Sequence, residues 1–330
     1  MPIEWHYNVG GCFRSPGDDL ELAAYAADAG FDGIWIGDHF VPWLDNRPYT
    51  HHVLPWLGSL VERVPDVTVG TCVSCPTIRY EPPVLAQALA TIDNAYPGRL
   101  EFGVGTGEAL NEARFYDGEW PDWGTLAGML IESLDLMETL WERDEYVSHE
   151  GEYYQYDEMK LYTKPRSEIP LHWAAWGPQS AKCAGKYAGN LITAGDADLI
   201  EETLAPAFEA GQSEREDSGG GTISVQLSAH VGDPDDLVDE LRAKGEYTPH
   251  EELDTADPRE IQSLADERLA DVSDEELRTL NNVTDDASDL VPVVERLEEA
   301  GIDRVIVVSK VGDPRRTIDA LADDVMPHFE

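Results

Sequence analysis

The chain carries eight short runs rich in β-branched and aromatic residues, and the stretches between successive runs hold a turn and apolar residues at helical spacing. The runs are Ile3–Asn8, Gly33–Ile36, Val67–Cys72, Leu100–Val104, Leu171–Ala174, Leu191–Thr193, Thr222–Val231 and Arg304–Ser309. Helical patterns lie between them at Asp18–Ala29, Val53–Val64, Pro83–Tyr96, Trp123–Trp141, Gln179–Ala188, Leu199–Glu214 and Leu290–Ala300. Strands alternating with helices, eight times in 330 residues, predict an α/β protein built as a (β/α)8 TIM barrel and not an open doubly wound sheet. Two segments interrupt the rhythm. Val147–Tyr162, aromatic and broken by Gly, reads as a hairpin. Asp233–Ser288 is too long for one crossover and carries helical patterns at Pro249–Asp254, Arg259–Leu269 and Asp274–Leu280. It is expected to be an acidic helical insertion after strand seven, at the carboxyl-terminal face of one barrel domain spanning residues 1–330. Ser218-Gly-Gly-Gly221 reads as an exposed connector.

Hydrophobic residues make up 42% of the chain, enough for a substantial core, while the formal net charge is −43. Such a charge argues against nucleic acid or an anionic membrane as a partner, since both need basic surface. Six Lys stand against seventeen Arg, and the acids are dispersed rather than gathered in a tail. A dispersed acidic coat with few lysines suits high salt, where screening relieves self-repulsion. The amino-terminal residues lack a signal-peptide pattern, and no apolar run approaches the ~20 residues of a membrane span. A cytoplasmic protein with reduced thiols is expected.

In a barrel of this kind the chemistry sits at the carboxyl ends of the strands. After strand two come Gly37-Asp38-His39-Phe-Val-Pro-Trp43, an acid and an imidazole beside an aromatic wall. After strand three come Cys72-Val73-Ser-Cys75-Pro-Thr-Ile-Arg-Tyr80; after strand four, Gly103-Val-Gly-Thr106-Gly107-Glu108-Ala-Leu-Asn111-Glu112; after strand five, Ala174-Ala175-Trp176-Gly177-Pro178-Gln-Ser180. Taken alone, Asp38 also reads as a helix cap, His39 as a loop residue and Glu108 as a first-turn acid. Together, His39 and Glu108 offer a separated base and acid in one mouth. The glycine run is not a dinucleotide fingerprint, because its spacing is G-x-G-x-G. Cys72 and Cys75 lack the two further ligands a metal would need and lie at a strand end rather than a helix start, so they read as structural. His51-His52 read as surface residues, and no metal site is expected.

These motifs, from Tyr7 to about Thr193, resemble the luciferase-like flavin and deazaflavin oxidoreductases, and within them the coenzyme F420-dependent glucose-6-phosphate dehydrogenase branch. With the acidic coat, the resemblance is to a haloarchaeal type. It implies coenzyme F420 as cofactor, a small-molecule substrate, a homodimer, and hydride transfer from a substrate carbon to the deazaflavin C5. His39 would take the hydroxyl proton, Trp43 would shield the developing charge, and Glu108 would protonate the deazaflavin N1. Asp38, the Cys72–Val73 peptide with Cys75, Thr106, Gly107, Asn111 and Ala175, Trp176, Gly177 and Pro178 would hold the cofactor. The Cys72–Val73 bond corresponds to a cis peptide behind the ring.

The departures concern substrate. Cys12 stands where the sugar-phosphate enzymes carry an acid, and Asp196 lies close to where they carry a lysine, beside Thr193. Ser263 and Thr279 fall at two further basic positions, with Arg259, Arg268 and Arg278 nearby. A phosphate needs fixed positive charge. The substrate site, drawn from Cys12, Trp43, Thr193 and Asp196, is therefore expected to take a neutral sugar or secondary alcohol. The alternatives are a sugar-6-phosphate dehydrogenase, a reduced-F420-dependent reductase or FMN monooxygenase of the same superfamily, and a non-catalytic flavin-binding barrel. The acidic coat also predicts that the thermal midpoint rises steeply with KCl; a midpoint independent of KCl would overturn the salt-adaptation reading.

Overall fold

The computed structural model describes residues 2–215, 220–246 and 254–329. Eight parallel strands close into a barrel: β1 (Glu4–Asn8), β2 (Gly33–Ile36), β3 (Thr68–Thr71), β4 (Leu100–Val104), β5 (Leu171–Ala174), β6 (Gly189–Thr193), β7 (Ile223–Ser228) and β8 (Arg304–Val308). Each pairs with its chain neighbours, and β1 closes the ring on β8 with Glu4 opposite Arg304 and Asn8 opposite Val308. The fold is a (β/α)8 barrel, as the strand–helix alternation predicts.

Alternation of side chains across each strand separates two apolar regions. Ile34 and Ile36 of β2, with Val305 and Val307 of β8, join the large core between strands and helices. Trp35, Ile192 and Ile306 point inward and form a smaller cluster with Cys72 and Val73 beneath the mouth. Towards the amino-terminal end the interior turns ionic. Arg304 Nη1 lies 2.7 Å from Glu101 Oε2, and its Nη2 lies 2.6 Å from Glu4 Oε2. His172 Nε2 is 2.7 Å from the same Glu101 oxygen, and Trp35 Nε1 donates to His6 Nδ1. Burial alone would raise the Glu101 carboxyl, but His172 and the Arg304 guanidinium hold it well below the ordinary carboxylate range.

Helices Pro16–Asp28, Val53–Arg63, Pro82–Ala95 and Trp123–Glu142 fall where their patterns predict. Val147–Glu150 and Gln155–Met159 pair antiparallel as the expected hairpin. Strand seven is shorter than its apolar run suggests. After Ser228 the chain leaves the barrel, and His230–Val231 pairs instead with Val283–Thr284. Directly behind stands a helix the apolar pattern does not predict, Pro234–Lys244, whose Asp233 cap accepts the Asp235 N–H at 3.0 Å. Helices Pro258–Leu269 and Asp274–Leu280 follow. Most of the helical pattern at 249–254 and part of the connector at 218–221 lie outside the described residues. A last helix, Pro314–Asp324, also unforeseen, joins the first through Tyr25 OH, which donates to Asp319 Oδ1 at 2.6 Å. Among the described residues no helix is long and apolar enough to cross a membrane.

Removing one member of the ionic interior strands the others. Arg304→Met should destabilise the protein by about 3–5 kcal/mol in urea unfolding, because Glu101 would stay buried without its guanidinium partner. A loss below about 1 kcal/mol would mean that water reaches this end of the barrel.

Candidate active site

The loops after β2, β3 and β4 are locked together by one buried cation. The Arg79 guanidinium contacts Asp38 Oδ1 at 3.0 Å and Glu112 Oε1 at 3.3 Å, and both carboxylates are fully buried. Arg79 also donates its backbone N–H to Glu112 Oε2 at 2.9 Å and an Nη2 hydrogen to the Asp38 carbonyl at 3.1 Å. Asp38 further accepts from Ser74 Oγ at 2.7 Å and Tyr80 OH at 3.1 Å. The Asp38 carboxylate, expected at the cofactor, is buried and hydrogen-bonded by these three side chains, and it holds the loops together.

That frame sets His39 and Glu108 at the mouth, 3.7 Å apart between Nδ1 and Oε1 and each about one-fifth exposed. Asn111 links them. Its Nδ2 lies 2.9 Å from His39 Nδ1 and donates to Glu108 Oε1 at 2.7 Å, while its Oδ1 accepts the Phe40 and Val41 N–H groups at 2.7 and 3.1 Å. Burial pushes the His39 imidazole down to about 4, opposed by the Asp38 carboxylate and assisted by the Arg79 charge. Burial pushes the Glu108 carboxyl up to about 7, opposed by the Asn111 hydrogen bond and assisted by Glu112. Near neutral pH it is therefore the carboxyl that exchanges a proton readily, while the imidazole stays neutral. A Cβ at residue 37 would fit tightly, 3.0 Å from His39 Nε2 and 3.1 Å from the Gly10 carbonyl oxygen.

Trp43 meets His39 edge-on, ring centroids 6.3 Å apart. It is held from behind by Leu44, Leu110, Ile261 and Ala265, so helix Pro258–Leu269 reaches over the mouth. The Cys72–Val73 peptide is cis; the Ser74 N–H donates to the Gly103 carbonyl of β4 and the Gly105 N–H to the Ser74 carbonyl, each at 2.9 Å. Cys72 Sγ–H and Asn8 Nδ2 both donate to Gln226 Oε1, at 3.3 and 3.2 Å, which ties the turn to β1 and β7. Burial raises the Cys72 thiol to about 12 and the Cys75 thiol well above its ordinary range, so both remain protonated thiols. Gly107 has φ +96°, a conformation that favours glycine, and turns the chain from β4 towards Glu108.

The remaining predicted residues divide. Thr106 is half-buried beside Gly107, and Ala175 is buried with its N–H on the Ile192 carbonyl at 2.8 Å. Trp176 is exposed, and Gly177 caps the helix that begins at Pro178. Cys12 is buried, its thiol raised to about 11 by burial, opposed by the Arg47 charge. Thr193 is buried and accepts the Gly195 N–H at 3.0 Å. Asp196 is exposed and caps the next helical turn, accepting the Leu199 N–H at 2.8 Å. His51 is not a surface residue. It is buried with Nε2 2.9 Å from Asp19 Oδ2, because Asp19 is itself buried and needs both His51 and Arg14 as partners. Sequence reasoning assigned no role to Arg79, Glu112, Ser74, Tyr80 or Gln226. All of these but Gln226 stand inside the quoted motifs.

The luciferase-like monooxygenase family model matches residues 6–323, and the chain belongs to that family. Among its relatives is a protein from Microbacterium testaceum named F420-dependent glucose-6-phosphate dehydrogenase, 35% identical over 81% of this chain and 81% of that one. A protein of the same name from Gordonia bronchialis is 34% identical over 95% of this chain and 94% of its own length. A solved F420-dependent secondary alcohol dehydrogenase in complex with an F420-acetone adduct superposes with a TM-score of 0.91 at 32% identity, covering 100% of both chains. The two dehydrogenases named from sequence are actinobacterial and lend no support to a haloarchaeal source.

A carboxyl raised by burial opposes folding once it ionises. Stability tied to Glu108 is therefore intact below its ordinary value of 4.5 and is lost as pH rises through about 7. Glu108→Gln should match the wild type in urea unfolding at about pH 4 and exceed it by about 1–3 kcal/mol at about pH 8. The same difference at both pH values would overturn this assignment.

Proposed function

We propose that this protein uses coenzyme F420 to oxidise a hydroxyl group of a neutral sugar or secondary alcohol. The observation that carries the reading is the His39–Asn111–Glu108 group at the barrel mouth: one side chain that stays neutral beside one that exchanges protons near neutral pH. The identities of 32–35% with F420-dependent dehydrogenases support it.

The residues present suit the cofactor. Gly177 opens on free space, a Cβ there meeting nothing within 4 Å, and Thr106 and Gly107 lie at the same end of the barrel. Thr106, Gly107 and the turn from Ala175 to Pro178 would hold the cofactor's tail. The cis turn at Cys72–Val73, with Cys75 behind it, would back the deazaflavin ring. When bound, the deazaflavin supplies C5 as hydride acceptor. His39 would meet the substrate oxygen, Trp43 would exclude water from it, and the hydroxyl proton would pass into the His39–Glu108 pair.

A neutral substrate accords with the fate of the charged groups. Asp196 is a cap, Arg259 is bound to Asp257 and Arg278 to Asp235, so none of these offers a free cation. One observation favours a sugar phosphate instead. Arg47 and Lys310, whose charges both act on the Cys12 thiol, share the single buried carboxylate of Glu246.

The test is a fluorescence titration in molar KCl with oxidised F420 and with FMN, followed by glucose, glucose 6-phosphate and 2-propanol. The expected outcome is F420 binding and loss of the oxidised deazaflavin absorbance with glucose or 2-propanol. Turnover of glucose 6-phosphate at micromolar KM would overturn the substrate class. Tight FMN binding without an F420 response would overturn the cofactor.

A further inference from the structure

Backbone N–H groups can only donate. The Asn111 side-chain atom that receives both the Phe40 and the Val41 N–H must therefore be its carbonyl oxygen, which fixes the orientation of the amide. The NH2 end then faces the other way, with one hydrogen on Glu108 Oε1 at 2.7 Å and the other directed at His39 Nδ1 at 2.9 Å. A donor aimed at Nδ1 requires a lone pair there, and a neutral imidazole with a bare Nδ1 carries its proton on Nε2. We infer that Asn111 is a positioning residue that locks His39 as the neutral Nε2–H tautomer, so that a ligand oxygen at the mouth meets a hydrogen-bond donor at Nε2. A nitrogen that carries its proton cannot take another from that oxygen while the ring stays neutral, so the base role expected for His39 does not fall on Nε2.

No described residue hydrogen-bonds His39 Nε2, whose N–H is thus left for a ligand. His39 and Glu108 face each other at 3.7 Å; the other charged groups acting on His39 are Asp38 and Arg79, and those acting on Glu108 are Glu112 and Arg79. Asp38 and Glu112 share the single Arg79 charge, and burial raises the Glu112 carboxyl against the pull of that charge.

The catalytic meaning rests on the hydride-transfer reading above; the tautomer does not. In that reading the Nε2–H would hold and orient the substrate oxygen.

The experiment reads the imidazole directly, in the full-length ligand-free protein. Long-range 1H–15N spectra of 15N-labelled protein, with His39 assigned by the peaks missing in His39→Gln, distinguish the two ring nitrogens. The expected wild-type result is a pyridine-type Nδ1 and a pyrrole-type Nε2, with no protonation between about pH 5 and 8. Asn111→Asp keeps an oxygen for the Phe40 and Val41 N–H groups but turns the donor facing Nδ1 into an acceptor. It should move the proton to Nδ1 and raise the His39 pKa by about 1–3 units. A wild-type pyrrole-type Nδ1, titration near the ordinary value of about 6.5, or an unchanged tautomer in Asn111→Asp would each overturn the inference. The wild-type spectrum decides even if the variant does not fold. Failure of F420 to bind would overturn the proposed function and leave the tautomer standing.

Discussion

Two carboxylates cannot be buried side by side without a cation between them, and Arg79 is that cation. Asp38 comes from the loop after β2, Glu112 from the segment after β4, and Arg79 from the loop after β3. One guanidinium therefore sets the relative positions of three strand ends. Asn111 precedes Glu112 in the chain, and His39 follows Asp38, so the contact between Asn111 and His39 inherits its geometry from the ion pairs one residue away. The groups placed to meet a ligand carry none of this structural burden, which leaves them free to hold the protonation states that the site requires.

The barrel was legible because its signal is repeated. Eight apolar runs each bounded by turn residues leave little choice of architecture, and errors at single boundaries do not add up. The run ending at Val231 misled because Ala229 and Val231 continue the apolar alternation of Ile223, Val225 and Leu227; only the pairing of His230–Val231 with Val283–Thr284 takes them out of the barrel. The helix Pro234–Lys244 was missed within a segment read for its acidity, although Asp233 followed by Pro is a plain start signal.

The site was legible as a set of residues and not as a set of roles. Position at strand ends selected His39, Trp43, Glu108 and Asn111 correctly as neighbours. Position could not tell that Asp38 would be consumed by Arg79, Ser74 and Tyr80, since a carboxylate at a strand end looks the same whether it faces a ligand or a guanidinium. His51 was misjudged for the same reason: its partner Asp19 lies 32 residues earlier, and no local pattern connects them. The direction of the Asn111 amide depends on two backbone N–H groups some 70 residues away.

Trp43 is braced by Leu44, Leu110, Ile261 and Ala265, a cluster separate from the main core. The Trp43 side of the mouth thus leans on a part of the chain more than 200 residues downstream, whereas His39 and Glu108 lean on Arg79. The two supports share no side chain. Changes in helix Pro258–Leu269 can reshape what the mouth admits while leaving its chemistry in place, so substrate range and reaction type can diverge independently in proteins built on this plan.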